Sequence, residues 1–185
     1  MTDKHRRRSV RLKGYDYAEP GAYFVTVCTR GRACLFGHVV NGEMHLNEVG
    51  EVVRMEWFNT AAIRPYVRLN ENESVVMPNH LHAIVWIVEN GVGATGRSPL
   101  RTLASSPNGP KHGSIGAIMA GFKSVTAKRI NQMRGMPGAP VWQRGYYEHV
   151  VRNEAELTAV REYIQGNPGS WDEDENNPAM VDSGR

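Results

Sequence analysis

The 185-residue sequence predicts an α+β domain: one mainly antiparallel sheet with helices packed on it. Three observations carry that class. Short runs of β-branched and aromatic residues alternate with segments of helical apolar spacing, in the order strands, helix, strand, helix, strand, helix. Asn41-Gly42 lies between two short alternating runs, the signature of a type I′ antiparallel hairpin. The length is that of one domain, large enough to bury about 70 % of its unfolded surface without a disulfide or structural metal.

Taken in order, Tyr23-Phe24-Val25-Thr26-Val27-Cys28-Thr29, behind Pro20-Gly21, reads as the first strand, and the runs around Asn41-Gly42 form the hairpin. Asn47 is the N-cap of a helix whose apolar residues Val49, Val52, Val53 and Trp57 recur at helical spacing until Pro65. Residues 75–87 read as one buried strand, with Pro78 marking its start or a bulge. Residues 90–113 hold four glycines and three prolines between Gly91 and Pro110, without periodicity, and read as a mobile loop. Ser114 caps a second helix with an apolar face of Ile115, Ile118, Met119, Phe122, Val125, Ile130 and Met133, stopped by Gly135 and Pro137. Strand character resumes over residues 141–151. Asn153 with Glu156 then forms a capping-box-like start for a last helix through about Gln165, ended by Gly166 and Pro168.

With 41 % hydrophobic and 22 % charged residues, the composition excludes a wholly disordered or fibrous chain, and the longest apolar run, residues 81–88, is far short of a bilayer span. No apolar segment follows the basic N-terminus, and Cys28 and Cys34 form no CxxC pair, so a reducing, cytoplasmic setting without a membrane partner is expected. The formal charge of +3 conceals a strong polarity. Lys4, Arg6, Arg7, Arg8, Arg11 and Lys13 against Asp3 give residues 1–13 a net +5, while residues 172–185 carry −4 and the middle +2. This divides the chain into a basic arm (1–13), a single domain (14–171) and an acidic tail (172–185) that reads as solvated. The arm is either solvated too or laid on a phosphate backbone.

Two segments carry candidate chemistry. Alternation along a strand places His80, His82, Ile84 and Trp86 on one face and Leu81, Ala83, Val85 and Ile87 on the other. Two imidazoles on one face, about 6.6 Å apart at the Cα atoms, suit convergence on one cation; the alternative is a pair of hydrogen-bonded core histidines. On the last helix Leu157, Val160 and Ile164 share a face, Tyr163 falls at its edge and Asn167 lies close above it. Packing with a wet hydroxyl is the competing role for that tyrosine. The glycine-rich segment 116–124 has one residue too many before Lys123 for a phosphate-binding loop and has helical spacing, which excludes that motif. Lys123 and Lys128 are left as cations on the exposed side of the second helix. Histidines 5, 38, 45, 112 and 149 show no ligand spacing, and Tyr146 or Tyr147 serves either sheet packing or base stacking.

Met77-Pro78-Asn79-His80-Leu81-His82 with the apolar run behind it resembles the histidine-hydrophobe-histidine (HUH) strand of single-tyrosine HUH transposases. Residues 141–152, Val-Trp-Gln-Arg-Gly-Tyr-Tyr-Glu-His-Val-Val-Arg, leading to Tyr163-Ile164-Gln165-Gly166-Asn167-Pro168, resemble the end of their REP-associated branch. The opening, Arg11-Leu12-Lys13-Gly14-Tyr15-Asp16-Tyr17 and then Gly21-Ala22-Tyr23-Phe24-Val25-Thr26, is similar too, so the resemblance spans about residues 6–178 except 90–113. It implies a ferredoxin-like, RRM-like sheet with the HUH strand central and a catalytic tyrosine on the C-terminal helix. The activity implied is metal-dependent cleavage and rejoining of single-stranded DNA through a 5′-phosphotyrosine, as in DNA transposition. Carried over by position, His80 and His82 are metal ligands, Tyr163 is the nucleophile, and Asn167 is the third ligand where many relatives have glutamine. The implied cofactor is Mg²⁺ or Mn²⁺. The implied partner is single-stranded DNA bearing a hairpin, bound by a monomer or homodimer; the +5 count in turn predicts that Arg6, Arg7, Arg8, Arg11 and Lys13 of the arm grip its backbone, with Lys123 and Lys128 as further DNA-facing cations. A different class competes: a catalytically inactive ferredoxin-like nucleic-acid-binding module.

Overall fold

The β-branched and aromatic run behind Pro20 forms β1, Gly21–Cys28. A 3-10 turn at Arg30–Arg32 leads to the hairpin of β2 (Gly37–Val40) and β3 (Glu43–Leu46). Its turn residues Asn41 and Gly42 have φ of 52° and 77°, the left-handed values a type I′ turn requires. α1 (Glu48–Ala62) starts at Asn47, whose side chain accepts the Gly50 amide proton. β4 (Val67–Arg68), a 3-10 turn at Glu71–Glu73, β5 (Ser74–Val76) and β6 (His80–Ile87) follow. α2 (Ile115–Met133) is capped by Ser114, β7 spans Tyr147–Val151, and α3 (Glu154–Gly166) is capped by Asn153. Glu156 returns its carboxylate to the Arg152 amide, so the predicted capping box closes one residue outside the N-cap. A 3-10 segment, Pro168–Glu173, and the short α4, Pro178–Asp182, end the described chain. The computed structural model describes residues 14–89 and 109–182; the basic arm and most of the expected loop 90–113 lie outside the described residues.

β6 lies inside the sheet, paired with β1 on one edge and with β5 and then β4 on the other, while β1 pairs onward with β7. Every pairing is antiparallel. With α1 and α2 as the connections, this is the βαββαβ order of a ferredoxin-like sheet, and the HUH strand is central as expected. One face carries Tyr23, Val25, Val27, Leu81, Ala83 and Val85 against Trp57 of α1 and Ile118, Met119 and Phe122 of α2. The other carries Ala22, Phe24 and Ile84 against Leu157 and Ile164 of α3. Burying each such large apolar side chain stabilises the fold by roughly 1.5–3 kcal/mol, so both faces are energetically committed.

Three local expectations are corrected. Residues 75–87 are two strands, because Pro78 lacks an amide proton and the Met77 amide turns back to the His80 carbonyl at 2.8 Å. Over 141–151 only Tyr147–Val151 is a strand, with Trp142 held by a single bridge to Thr29. Val125 and Met133 are 43 % and 47 % exposed. Thr126 turns inward instead, giving its proton to the Phe122 carbonyl and accepting from Trp142 Nε1.

Gly50 is where α1 meets the hairpin: a Cβ there would stand 2.1 Å from the Phe36 carbonyl oxygen, a backbone atom that cannot rotate away. Gly50→Ala is therefore expected to destabilise the fold by about 1–3 kcal/mol despite the better helix propensity of alanine, measured by urea denaturation.

Candidate active site

The register between β1 and β6 sets Cys28 opposite His80 and Thr26 opposite His82, on the face that α3 covers. Both imidazoles are buried and 4.4 Å apart between ring centroids. Asn79 fixes the first ring. Its amide nitrogen donates to the carbonyls of Arg32 and Asn176, so its oxygen is the atom facing His80 Nδ1 at 2.8 Å. An acceptor there requires a proton on Nδ1, which leaves Nε2 as the lone-pair nitrogen. That Nε2 is buried without a hydrogen-bond partner. The Nδ1 of His82 lies 2.7 Å from Thr26 Oγ1, and its Nε2 lies 3.2 Å from the Tyr163 hydroxyl.

Tyr163 reaches this point because Ile164 and Leu157 seat α3 on the sheet, leaving the tyrosine at the seam, 47 % exposed and edge-on to Phe24. Asn167, the C-cap of α3, is 4 % exposed; its Nδ2 donates to Asp174 Oδ2 at 3.2 Å and its Oδ1 is buried without a partner. The turn after α3 brings the chain back over the histidines. There Asp174 is buried, with Oδ2 3.8 Å from His80 Nε2, and donor atoms of His80, His82 and Asp174 all lie within 4.8 Å of one another. Trp171 closes over His80 at a ring distance of 6.0 Å.

Burial pushes the His80 imidazole down to about 4, against the raising effects of the Asp174 carboxylate and the Asn167 side chain, and Arg32 lowers it further. Burial, and then its neighbour His80, hold His82 well below the usual histidine range. Both rings are thus neutral at pH 7, the form that ligates a cation. The Tyr163 phenol is raised, first by burial and then by the charges of Asp174 and Glu175. Two imidazole lone pairs, a carboxylate and an orphaned amide oxygen form a mixed nitrogen and oxygen donor set, and a divalent cation fits it: it would satisfy His80 Nε2 and Asn167 Oδ1, two of the four buried side-chain atoms among the described residues that have no partner.

The structure therefore brings His80, His82, Asn167 and Tyr163 together. Arg6, Arg7, Arg8, Arg11 and Lys13 lie outside the described residues. Lys128 is exposed on α2, whereas Lys123 is folded back, its Nζ donating to the carbonyls of Gln143 and Gly145. That corrects its expected exposure. The acidic segment is not simply solvated, because Asp174 enters the site. Neither Asp174 nor Asn79 is legible as a site residue in the sequence: one sits in an acidic run and the other in a proline turn. The nearest signal is the Asn176-Asn177-Pro178 turn after the run, which folds it back: the Asn176 amide donates to Asp174 Oδ1. His38 and His45, without ligand spacing in sequence, stand opposite each other on the hairpin with rings 5.7 Å apart.

No protein-family model matches the chain. A protein of Haemophilus influenzae (strain Rd), described as uncharacterized, is 40 % identical over 172 residues, covering 92 % of this chain and 93 % of its own length. The chain belongs to the same family. Among solved structures, a REP-associated tyrosine transposase bound to a REP hairpin superposes with a TM-score of 0.55 at 20 % identity, over 87 % of this chain and 74 % of that one. The family member described here thus shares the fold of the transposases that its sequence resembles. Among the described residues no helix is long and apolar enough to cross a membrane.

The depressed histidines give a pH signature. A base whose folded-state pKa lies below its unfolded value near 6.5 contributes stability above pH 6.5 and loses it as pH falls toward the folded value. In metal-free protein the urea-unfolding free energy is expected to decline already between pH 6.5 and 5, before carboxylates titrate, and His80→Gln/His82→Gln should flatten that part of the profile.

Proposed function

We propose that this protein cuts and rejoins single-stranded DNA beside a hairpin, with Tyr163 as the nucleophile and Mg²⁺ or Mn²⁺ held by His80, His82, Asp174 and Asn167. The observation that carries this is the convergence of the hydroxyl of a half-exposed tyrosine, 3.2 Å from His82 Nε2, with a buried donor set in which His80 Nε2 and Asn167 Oδ1 have no hydrogen-bond partner, all from one chain. The hairpin is the ligand in the structure of the like-folded REP-associated transposase, and here the choice of that substrate rests on this likeness and on the +5 arm.

A phenol of ordinary pKa near 10 costs roughly 4 kcal/mol to ionise at pH 7, and the environment of Tyr163 adds to that. When bound, the cation polarises the scissile phosphate and stabilises charge developing on it. The chain's residues do the rest. Tyr163 Oη attacks phosphorus in line, the bond from phosphorus to the 3′ oxygen breaks, the phenolic proton passes to solvent, and the departing 3′ oxygen takes up a proton from solvent. The products are a 5′-phosphotyrosine and a free 3′-hydroxyl. Because the ester conserves the energy of the broken bond, a second 3′-hydroxyl can displace Tyr163 and reseal the strand without a nucleotide cofactor. In-line attack needs one phosphodiester in the cleft, which selects unpaired or splayed DNA. Phe24 stands edge-on to the phenol and Trp171 lies over His80.

Wild-type protein mixed with labelled hairpin DNA and Mn²⁺ is expected to give a covalent adduct on a denaturing gel, and Tyr163→Phe to give none. Hairpin binding without any adduct in the wild type would instead establish a non-catalytic binding module, and cleavage without an adduct a plain hydrolase. Asp174→Ala should raise the Mn²⁺ concentration for half-maximal adduct by at least about 10- to 100-fold, the loss that follows removal even of groups that only orient ligands. Neutralising about six phosphates gives a slope near −4 to −5 of log affinity against log salt, and deleting residues 1–13 is expected to flatten it.

A further inference from the structure

Opposite the tyrosine, on the far flank of α3, lies a carboxylate that the proposed chemistry does not use. Glu73 is 3 % exposed at the end of the 3-10 turn Glu71–Glu73, yet it is an anion with every lone pair engaged. Oε1 accepts from Arg161 Nε at 2.8 Å and Nη2 at 2.6 Å; Oε2 accepts from Trp86 Nε1 at 2.8 Å and Asn70 Nδ2 at 2.6 Å. Its donors hold its carboxyl below the usual carboxylate range against the opposing effect of burial. One side chain thereby ties three elements: its own turn, the histidine strand β6 through Trp86, and the tyrosine helix through Arg161.

At 100° per residue, Ile164 and Leu157 mark the inward line of α3; Tyr163 projects on one flank and Arg161 and Gln165 on the other. Gln165 also reaches the turn, its Nε2 donating to the Asn72 carbonyl at 3.4 Å. Apolar packing resists separation of helix and sheet but opposes rolling only weakly, because it is non-directional. A tyrosine oxygen stands about 9 Å from its helix axis, so a roll of about 20° moves it about 3 Å, enough to lose the contact with His82. Arg161 meets Glu73 in a forked, two-bond geometry that specifies direction as well as distance. We propose that Glu73 and Arg161 form a roll lock: positioning residues that hold the tyrosine helix at the angle where the Tyr163 hydroxyl faces the histidines.

The proposal rests on Tyr163 as nucleophile only for its kinetic consequence. Arg161→Ala and Glu73→Gln are expected to slow single-turnover adduct formation about 10- to 100-fold while leaving the hairpin Kd within about twofold, since misplacement by about 1 Å can cost 100-fold in rate. The double variant should be no slower than the slower single, as both act through one contact. Arg161→Lys, which keeps the charge but not the fork, should recover part of the rate. Unchanged rates, additive losses, or a Kd weakened in proportion to the rate would overturn the lock, the last marking Arg161 as a DNA contact. An independent readout needs no activity: with 3-fluorotyrosine incorporated and the Tyr163 resonance assigned by its loss in Tyr163→Phe, Arg161→Ala should shift that ¹⁹F signal although residue 161 lies on the opposite flank. A shift in a protein that forms no adduct would keep the lock and discard the nuclease, whereas an unmoved signal discards the lock.

Discussion

Eight consecutive pairings between β1 and β6 hold two histidines inside the sheet, and the rest of the molecule is arranged around the cost of having them there. An imidazole in an apolar interior needs a partner for each polar nitrogen, or it destabilises the fold by the desolvation it has suffered. Asn79 and Thr26 answer for the two Nδ1 atoms and Tyr163 for His82 Nε2, while His80 Nε2 has no hydrogen-bond partner. The orphaned oxygen of Asn167 and the Asp174 carboxylate both lie beside His80.

The two faces of the sheet divide the work. The face under α1 and α2 is mainly apolar, with Tyr23, Val25, Val27, Leu81, Ala83 and Val85 fully buried and Glu148, the β7 partner of Val25, a buried carboxylate that accepts from the Tyr146 hydroxyl. Among the described residues the buried apolar cluster between the site face and α3 has five members, and α3 is held there by polar contacts at its margins as well as by packing. The segment after α3 is fastened similarly: Asn79 Nδ2 to the Asn176 carbonyl, the Asn176 amide to Asp174, and Asn177 Nδ2 to the Trp171 carbonyl. Directional bonds suit elements that must present one atom to another at a set angle.

Much of this was legible along the chain. Alternation put both imidazoles and Trp86 on one face of one strand, Asn-Gly specified the hairpin turn, and Asn47, Ser114 and Asn153 each cap the helix expected of them. Helical phase put Tyr163 at the edge of the apolar face. The misreadings share a cause. Pro78 was visible, but whether it began the strand or turned between two strands depended on β5 finding the edge of β6; Val125 and Thr126 exchanged places because Trp142, sixteen residues on, brought a donor to the hydroxyl.

What the sequence by itself determined, then, is what period and local bonding decide within a few residues: the elements, their caps, the faces they bury, and the residue types available for chemistry. Tertiary structure alone decided which of those residues meet. Asp174 reaches His80 only because the chain reverses after α3; Asn79 selects the imidazole lone pair only because Arg32 and Asn176 take its amide protons; Glu73 fastens the tyrosine helix across 88 residues of chain. Such contacts depend on where distant segments return in space, and no periodicity records that.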